Sequence, residues 1–183
     1  MSTLSAAVKF ELEADFQKAI RAYRKLTSQG SRLDRVGIFQ ALARCNEKLG
    51  RLKKAGYWHE RAGDACLRVP VRVMGAQEKA YHALVEYRNA LQDYVSGPRM
   101  LKAAKSYLRA LDTCLKEGKE GYSHEMLFAG HLSAKVGLFR KAAGFFQESA
   151  KQFEQESKLT LAREMRKLAE FYSKLSRKRP SGK

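Results

Sequence analysis

Apolar side chains recur every three or four residues along almost the whole chain, and this spacing limits the possible folds more than any other feature of the sequence. In one stretch, Phe139, Ala142, Ala143 and Phe146 follow each other at these intervals. The spacing is typical of amphipathic α-helices, and no stretch alternates apolar and polar residues long enough to form a strand. The chain also holds only 3 prolines and 13 glycines, too few for a turn-rich β-fold. The sequence therefore predicts an all-α protein.

Turn-forming residues divide this helical pattern. They occur at Gly30-Ser31, Leu49-Gly50, Val69-Pro70, Gly97-Pro98, 118–121 and Gly137. Cutting the chain there predicts helices over 3–13, 15–28, 33–48, 52–68, 77–95, 99–117, 123–135, 138–155 and 158–178. No glycine or proline lies between Gly144 and Arg179. The last two helices therefore either form one long helix or separate at Ser157, the only candidate cap between them.

A pairing of small and large side chains repeats four times within these helices. In each copy an alanine precedes a larger side chain by one helical turn, as in Ala103 and Tyr107. The alanine allows two helices to approach closely, and the larger side chain fills the space beside it. The residues expected to be buried for this reason are Ala19, Tyr23, Ala55, Ala62, Ala103, Tyr107, Ala142 and Phe146.

The second helix of each copy resembles the second helix of the tetratricopeptide repeat. The pattern Gly50-x-Leu52-x-x-Ala55-x-x-x-His59-x-x-Ala62 carries the resemblance. The repeated alanines lie 36, 48 and 39 residues apart, whereas the family repeats every ~34 residues. Long, irregular repeats are similar to the branch typified by the soluble attachment proteins of membrane fusion. The resemblance implies an antiparallel helix-pair solenoid with repeats over 1–30, 31–75, 76–120 and 121–156, then a capping helix and basic tail over 157–183.

The charge of the chain points to a polyanionic partner. Lysine and arginine number 36 against 19 acidic residues, which gives a net charge of +17. The excess is concentrated in residues 35–75, with nine basic and three acidic residues, and in residues 157–183, with nine and two. Such an excess of positive charge favours binding to an acidic protein surface, a nucleic acid or an anionic membrane surface.

The sequence offers little for catalysis or metal binding. His59 and Cys66 fall on the core side of one predicted helix, which predicts packing roles for both. His124 and His131 lack the spacing and the carboxylate of a histidine metal site, and no glycine-rich phosphate loop is present. Three widely spaced cysteines predict buried free thiols in a reducing compartment. The prediction is a non-catalytic protein without cofactor or metal.

One predicted helix carries a basic stripe around the only tryptophan of the chain. Arginine and tryptophan are enriched among the residues that dominate binding energy at interfaces, and they also suit single-stranded nucleic acid. The alternative is that the tryptophan packs against a neighbouring helix while the basic residues are solvated. The predicted partner-binding stripe comprises Arg51, Lys54, Trp58, Arg61 and Arg68.

Two further surfaces follow from the family resemblance. The first helices of such repeats line a concave groove, which is polar and basic here and suits an acidic ligand. Its residues by alignment are Gln40, Arg44, Arg88, Asn89, Gln92, His131 and Lys135. In the last helix, a seam of Leu161, Met165, Leu168, Tyr172 and Leu175 is expected to cover the final repeat.

These observations favour an adaptor or a subunit of a larger complex that binds an acidic surface of another protein. The alternatives are a nucleic-acid-binding helical protein and a membrane-trafficking adaptor of the soluble-attachment-protein type. No apolar run approaches the ~18 residues needed to span a membrane, which leaves only peripheral membrane contact. The expected location is the cytoplasm, with the nucleus as the alternative because of the basic tail.

Overall fold

The computed structural model describes residues 3–94, 97–116 and 122–178. Within these ranges all regular secondary structure is helical, which confirms the all-α prediction. None of the described helices is both long enough and apolar enough to cross a lipid bilayer. The helices are α1 (Leu4–Leu12), α2 (Phe16–Leu26), α3 (Arg32–Lys48), α4 (Leu52–Leu67), α5 (Ala76–Asp93), α6 (Pro98–Cys114), α7 (Ser123–Lys135), α8 (Phe139–Gln155) and α9 (Leu159–Lys178).

The helix ends lie close to their predicted positions, and the open question at Ser157 is resolved in favour of two helices. Helix α8 ends at Gln155 and α9 begins at Leu159. The predicted ends at residues 95 and 117, and the last part of the basic tail over 179–183, lie outside the described residues.

One turn motif connects four pairs of consecutive helices. The residue at the centre of each turn has a positive φ, between 57° and 80°. In each turn the next amide donates to a carbonyl five residues earlier, as in Lys158 N–H to Phe153 C=O at 2.7 Å and Arg51 N–H to Asn46 C=O at 2.8 Å. This is the Schellman arrangement, which glycine adopts most easily. The central residues are Ala14, Gly50, Gly137 and Ser157, so Ser157 separates α8 from α9 through its backbone conformation.

Replacing Ala14 by glycine is expected to raise the free energy of unfolding by about 1 kcal/mol, because the left-handed conformation costs an L-residue about 1–2 kcal/mol. Gly50→Ala should lower it by a similar amount. Gly37 lies inside α3 with open space where a Cβ would be, so Gly37→Ala should instead raise it by about 0.5–1 kcal/mol. Urea unfolding followed by Trp58 fluorescence measures all three. A lower stability of Ala14→Gly would contradict this description of the turn.

The chain divides into two compact units, Met1–Thr113 and Cys114–Lys183. In the first unit, α1 packs on α2, α2 on α3, α3 on α4 and α4 on α5. A buried cluster that includes Tyr23, Phe39 and Leu42 forms a core shared by α1 to α4. In the second unit, α7 packs on α8 and α8 packs on α9. A cluster around Phe146 and Phe153 forms its core.

All eight residues of the repeated small–large pattern are buried, at 2 % exposure or less. Glycines add close helix contacts that the pattern does not contain. A Cβ on Gly63 in α4 would lie 2.8 Å from Cε1 of Tyr87 in α5, and one on Gly130 in α7 would lie 2.7 Å from Cε1 of Phe146 in α8. Both distances are too short for any Cβ, so the aromatic ring packs directly on the backbone of the facing helix.

The buried side of α9 includes Met165, Leu168 and Tyr172 of the predicted seam, but not Leu161. Leu161 is 40 % exposed, whereas Ala162, Met165 and Ala169 are buried against α8. The small alanine side chains let α9 lie close to α8, so the contact side is turned away from Leu161. Tyr172 keeps its predicted place and stacks on Phe146 with a centroid distance of 5.6 Å.

Candidate functional site

The predicted basic stripe on α4 lines two separate clefts of the first unit. Arg51, Lys54 and Trp58 line one cleft of about 940 Å³, here called the Trp58 cleft. Arg61 and Arg68 line another of about 580 Å³, here called the Arg61 cleft. The stripe therefore lines two clefts, and all five of its side chains are at least partly accessible.

Trp58 both packs inside the unit and lines its cleft. Its ring stacks on Phe39 of α3 with a centroid distance of 5.7 Å and an interplanar angle of 23°. Tyr57 meets it edge-on at 4.9 Å. The side chain is half-buried and belongs to the edge of the first core cluster. The two sequence-based alternatives for Trp58, packing and ligand contact, are therefore compatible.

The Trp58 cleft is strongly cationic. Helices α2, α4 and α6 and the residue before α4 supply its basic side chains, and Ile20, Leu52 and Pro98 supply apolar walls. The Arg99 guanidinium lies 4.9 Å from the centroid of the Tyr57 ring, within the range of a cation–π contact. The basic side chains of the cleft are Arg24, Arg51, Lys53, Lys54 and Arg99.

These cations have no counter-ion in the part of the chain that the structure describes. Within the described residues, no carboxylate lies within ion-pair distance of Arg24, Arg51, Lys53 or Lys54. The acidic lining residue Asp93 is buried. The positive charge of the cleft is therefore available to an external anion.

The Arg61 cleft is also lined by basic side chains, but several of them already make contacts inside the first unit. The Arg61 guanidinium lies 5.5 Å from the centroid of the Phe39 ring. Arg32 donates to the backbone carbonyl of Arg68 at 2.9 Å, and Lys79 donates to that of Val69 at 3.1 Å. Several cations of this cleft thus already have contacts inside the unit, so it is the weaker candidate for an external ligand.

The residues predicted for a concave groove do not share one environment. Gln40 donates to Glu86 at 2.8 Å, and Arg44 forms an ion pair with Glu11 at 3.1 Å. On α5, Arg88 and Asn89 are half-buried and Gln92 is exposed. His131 and Lys135 are exposed on α7 in the second unit. The structure therefore assigns Gln40 and Arg44 to contacts inside the protein.

His59 takes part in a buried polar network, where the sequence predicts only a packing residue. Its Nδ1 lies 2.7 Å from a Glu86 carboxylate oxygen, and its Nε2 lies 2.9 Å from a Glu47 carboxylate oxygen. Burial alone lowers the pKa of His59, but the hydrogen bonds to Glu86 and Glu47 outweigh it and raise the pKa above its usual value. The network links α3, α4 and α5.

Asp93 lies beside this network. Its side chain is buried, and its Oδ2 atom has no hydrogen-bond partner in the described part of the chain. The pKa of Asp93 is raised above its usual value, mainly because the carboxyl group is buried. The nearby His59 acts in the opposite direction, and Glu47 raises the pKa further. One ligand atom each from Glu47, His59 and Asp93 lie within 4.8 Å of one another.

The cysteine thiols are buried and free, as the sequence predicts. Burial raises the pKa of the Cys66 thiol to about 12 and that of Cys45 to about 11. Both thiols are therefore protonated near neutral pH, whereas a nucleophilic or metal-binding cysteine acts as the thiolate.

Several residues of these sites carry no sequence signal of their own. Arg24 and Arg99 belong to helices other than α4, and helical spacing says nothing about contacts between helices. The same holds for Glu86 and Asp93, which reach His59 from α5. Lys53 is the exception, because it lies next to Lys54 of the predicted stripe and could be predicted from the sequence.

Comparison with known proteins assigns neither a family nor a function to the chain. No protein-family model matches the chain, and no curated protein shows significant similarity to it.

Proposed function

We propose that this protein is a non-catalytic adaptor or complex subunit that binds an acidic segment of a partner protein in the Trp58 cleft. The observation that carries the proposal is a group of cations around a partly accessible tryptophan, with no counter-ions among the described residues. A cation surrounded by an apolar wall attracts a carboxylate more strongly than an exposed one, because less water screens the pair.

The shape and walls of the cleft favour a protein ligand. Its volume of about 940 Å³ is enough for a few side chains of an extended or helical segment. Ile20, Leu52 and Pro98 offer contact for an apolar side chain next to the acidic ones. An aromatic anchor within a cationic rim is a common arrangement at protein interfaces.

The same proposal includes a helix-pair solenoid of the tetratricopeptide type. The burial of all eight repeat residues and the recurrence of one turn motif at four helix junctions support it. An interaction module of this type, located in the cytoplasm, is consistent with the free thiols of the chain.

Binding of single-stranded nucleic acid is the second candidate. Tyr57 and Trp58 are neighbouring aromatic rings, and Arg99 lies over one of them. Bases stack on such rings while cations contact phosphates. Affinity would then fall steeply with salt concentration and show little dependence on the apolar walls.

Reversing two charges of the cleft should weaken binding of an acidic peptide. For Arg51→Glu with Lys54→Glu we expect at least a tenfold loss of affinity, mainly through slower association, because rim charges steer the encounter. A suitable probe is a fluorescein-labelled peptide of alternating glutamate and leucine, followed by anisotropy. Trp58→Phe should mainly raise the dissociation rate, because it removes part of the aromatic contact.

The matched control is Lys25→Glu with Lys105→Glu. This pair changes the net charge equally in the same unit, but both residues are exposed and neither lines the Trp58 cleft. Reversing Arg61 and Arg68 tests the Arg61 cleft in the same way. If the control pair weakens binding as much as Arg51→Glu with Lys54→Glu, the cleft is not the site. Tighter binding of oligothymidylate than of the peptide would favour the nucleic-acid alternative.

A further inference from the structure

Glu47, His59 and Asp93 bring together three side chains that commonly bind metal ions. They belong to three consecutive helices, α3, α4 and α5. One ligand atom of each lies within 4.8 Å of the other two. Ligands about 2.0–2.2 Å from a tetrahedral ion stand about 3.3–3.6 Å apart, so side-chain movement alone would bring these atoms into coordination.

Asp93 gives an independent indication of a ligand. The residue is only 9 % exposed, and its Oδ2 atom has no hydrogen-bond partner within the described residues. A buried carboxylate oxygen without a partner is costly, and such atoms in native proteins usually contact a bound water or ion. A cation between the three side chains would supply the missing interaction.

The surroundings of His59 resemble those of a metal-bound histidine, which usually donates from its other ring nitrogen to a carboxylate. If the Nδ1–H donates to Glu86, Nε2 is the nitrogen left for a metal ion. The Glu86 side chain is 7 % exposed, and it also accepts a hydrogen bond from Gln40 at 2.8 Å. The carboxylate that orients the imidazole is thus itself held in place.

We propose that Glu47, His59 and Asp93 form a binding site for a divalent transition-metal ion of the Zn²⁺ class. One imidazole and two carboxylates suit Zn²⁺ or Mn²⁺, whereas Ca²⁺ and Mg²⁺ prefer oxygen ligands alone. The Glu47 side chain is 41 % exposed, which gives the ion a route from solvent. The ion would tie α3, α4 and α5 together, whether or not the Trp58 cleft binds an acidic partner.

Equilibrium dialysis of the chelator-treated protein against Zn²⁺ and Mn²⁺ tests the proposal, with bound metal measured by atomic emission. We expect one ion per chain in the wild type. Asp93→Asn should lose at least 100-fold in affinity, and it keeps the size of the side chain while removing an unpaired charge, so it should fold. Binding should also raise the melting temperature of the wild type but not of Asp93→Asn.

The controls separate this site from other weak metal ligands. Asp64→Asn changes an aspartate outside the cluster that accepts from Tyr87, and His82→Gln removes an exposed histidine. Both should bind the ion as the wild type does. Co²⁺ should give the visible absorption of a tetrahedral site in the wild type only if the three ligands bind it together. Absence of a bound ion, or equal affinity in Asp93→Asn, would overturn the proposal.

Discussion

Replacing His59 by alanine is expected to lower the free energy of unfolding of the first unit by about 3–5 kcal/mol. The substitution leaves Glu86 as a buried carboxylate without the cation or donor that it faces at 2.7 Å. Removing one partner of a buried ion pair costs more than the pair contributes, because the remaining charge stays out of water. Urea unfolding in the presence of a chelator measures the effect, so that metal binding plays no part. Trp58 fluorescence reports the first unit, because the chain has no other tryptophan.

A second substitution separates the charge effect from the loss of packing. Adding Glu86→Gln to His59→Ala removes the buried charge, and the double variant should recover a substantial part of the lost stability. His82 is exposed on the neighbouring helix α5, and His82→Ala should change stability by less than about 0.5 kcal/mol. A loss of less than about 1 kcal/mol for His59→Ala would show that the network contributes little.

Truncation after Glu156 is expected to cause self-association of the shortened chain and unfolding of its second unit. The deletion removes α9 and uncovers the apolar side of α8, including Phe146, which stacks on Tyr172. An uncovered apolar surface promotes association. The fragment would still carry a net charge of +10, because residues 157–183 hold nine basic and two acidic residues out of the total of +17. Size-exclusion chromatography with light scattering measures the outcome.

The matched control for the truncation ends at Lys178. It removes only Arg179, Pro180, Ser181, Gly182 and Lys183, none of which has a large apolar side chain. This variant should remain as monodisperse as the full chain and have the same melting temperature. If the fragment ending at Glu156 behaves in the same way, α9 does not stabilise the second unit and would be free to contact a partner.

The helices follow from the sequence because their signals are local. Helix α7 covers residues 123–135 as predicted, and α4 differs from its predicted span by one residue. Periodic apolar residues and nearby turn formers act over a few residues, so they can be read without knowing the neighbouring helices. The break between α8 and α9 has a weaker sequence signal, because Ser157 adopts the left-handed conformation there without being a glycine.

The sequence by itself determined the helical class, the buried small–large pairs and a basic surface around Trp58. The tertiary structure decided which cations share a cleft, since Arg24, Arg51 and Arg99 come from separate elements. It also decided that His59, Glu86 and Asp93 meet in the interior. Helical periodicity fixes only the side of its own helix on which a residue lies. The partner of that side depends on how closely neighbouring helices pack, which small residues such as Gly63 set through three-dimensional contacts.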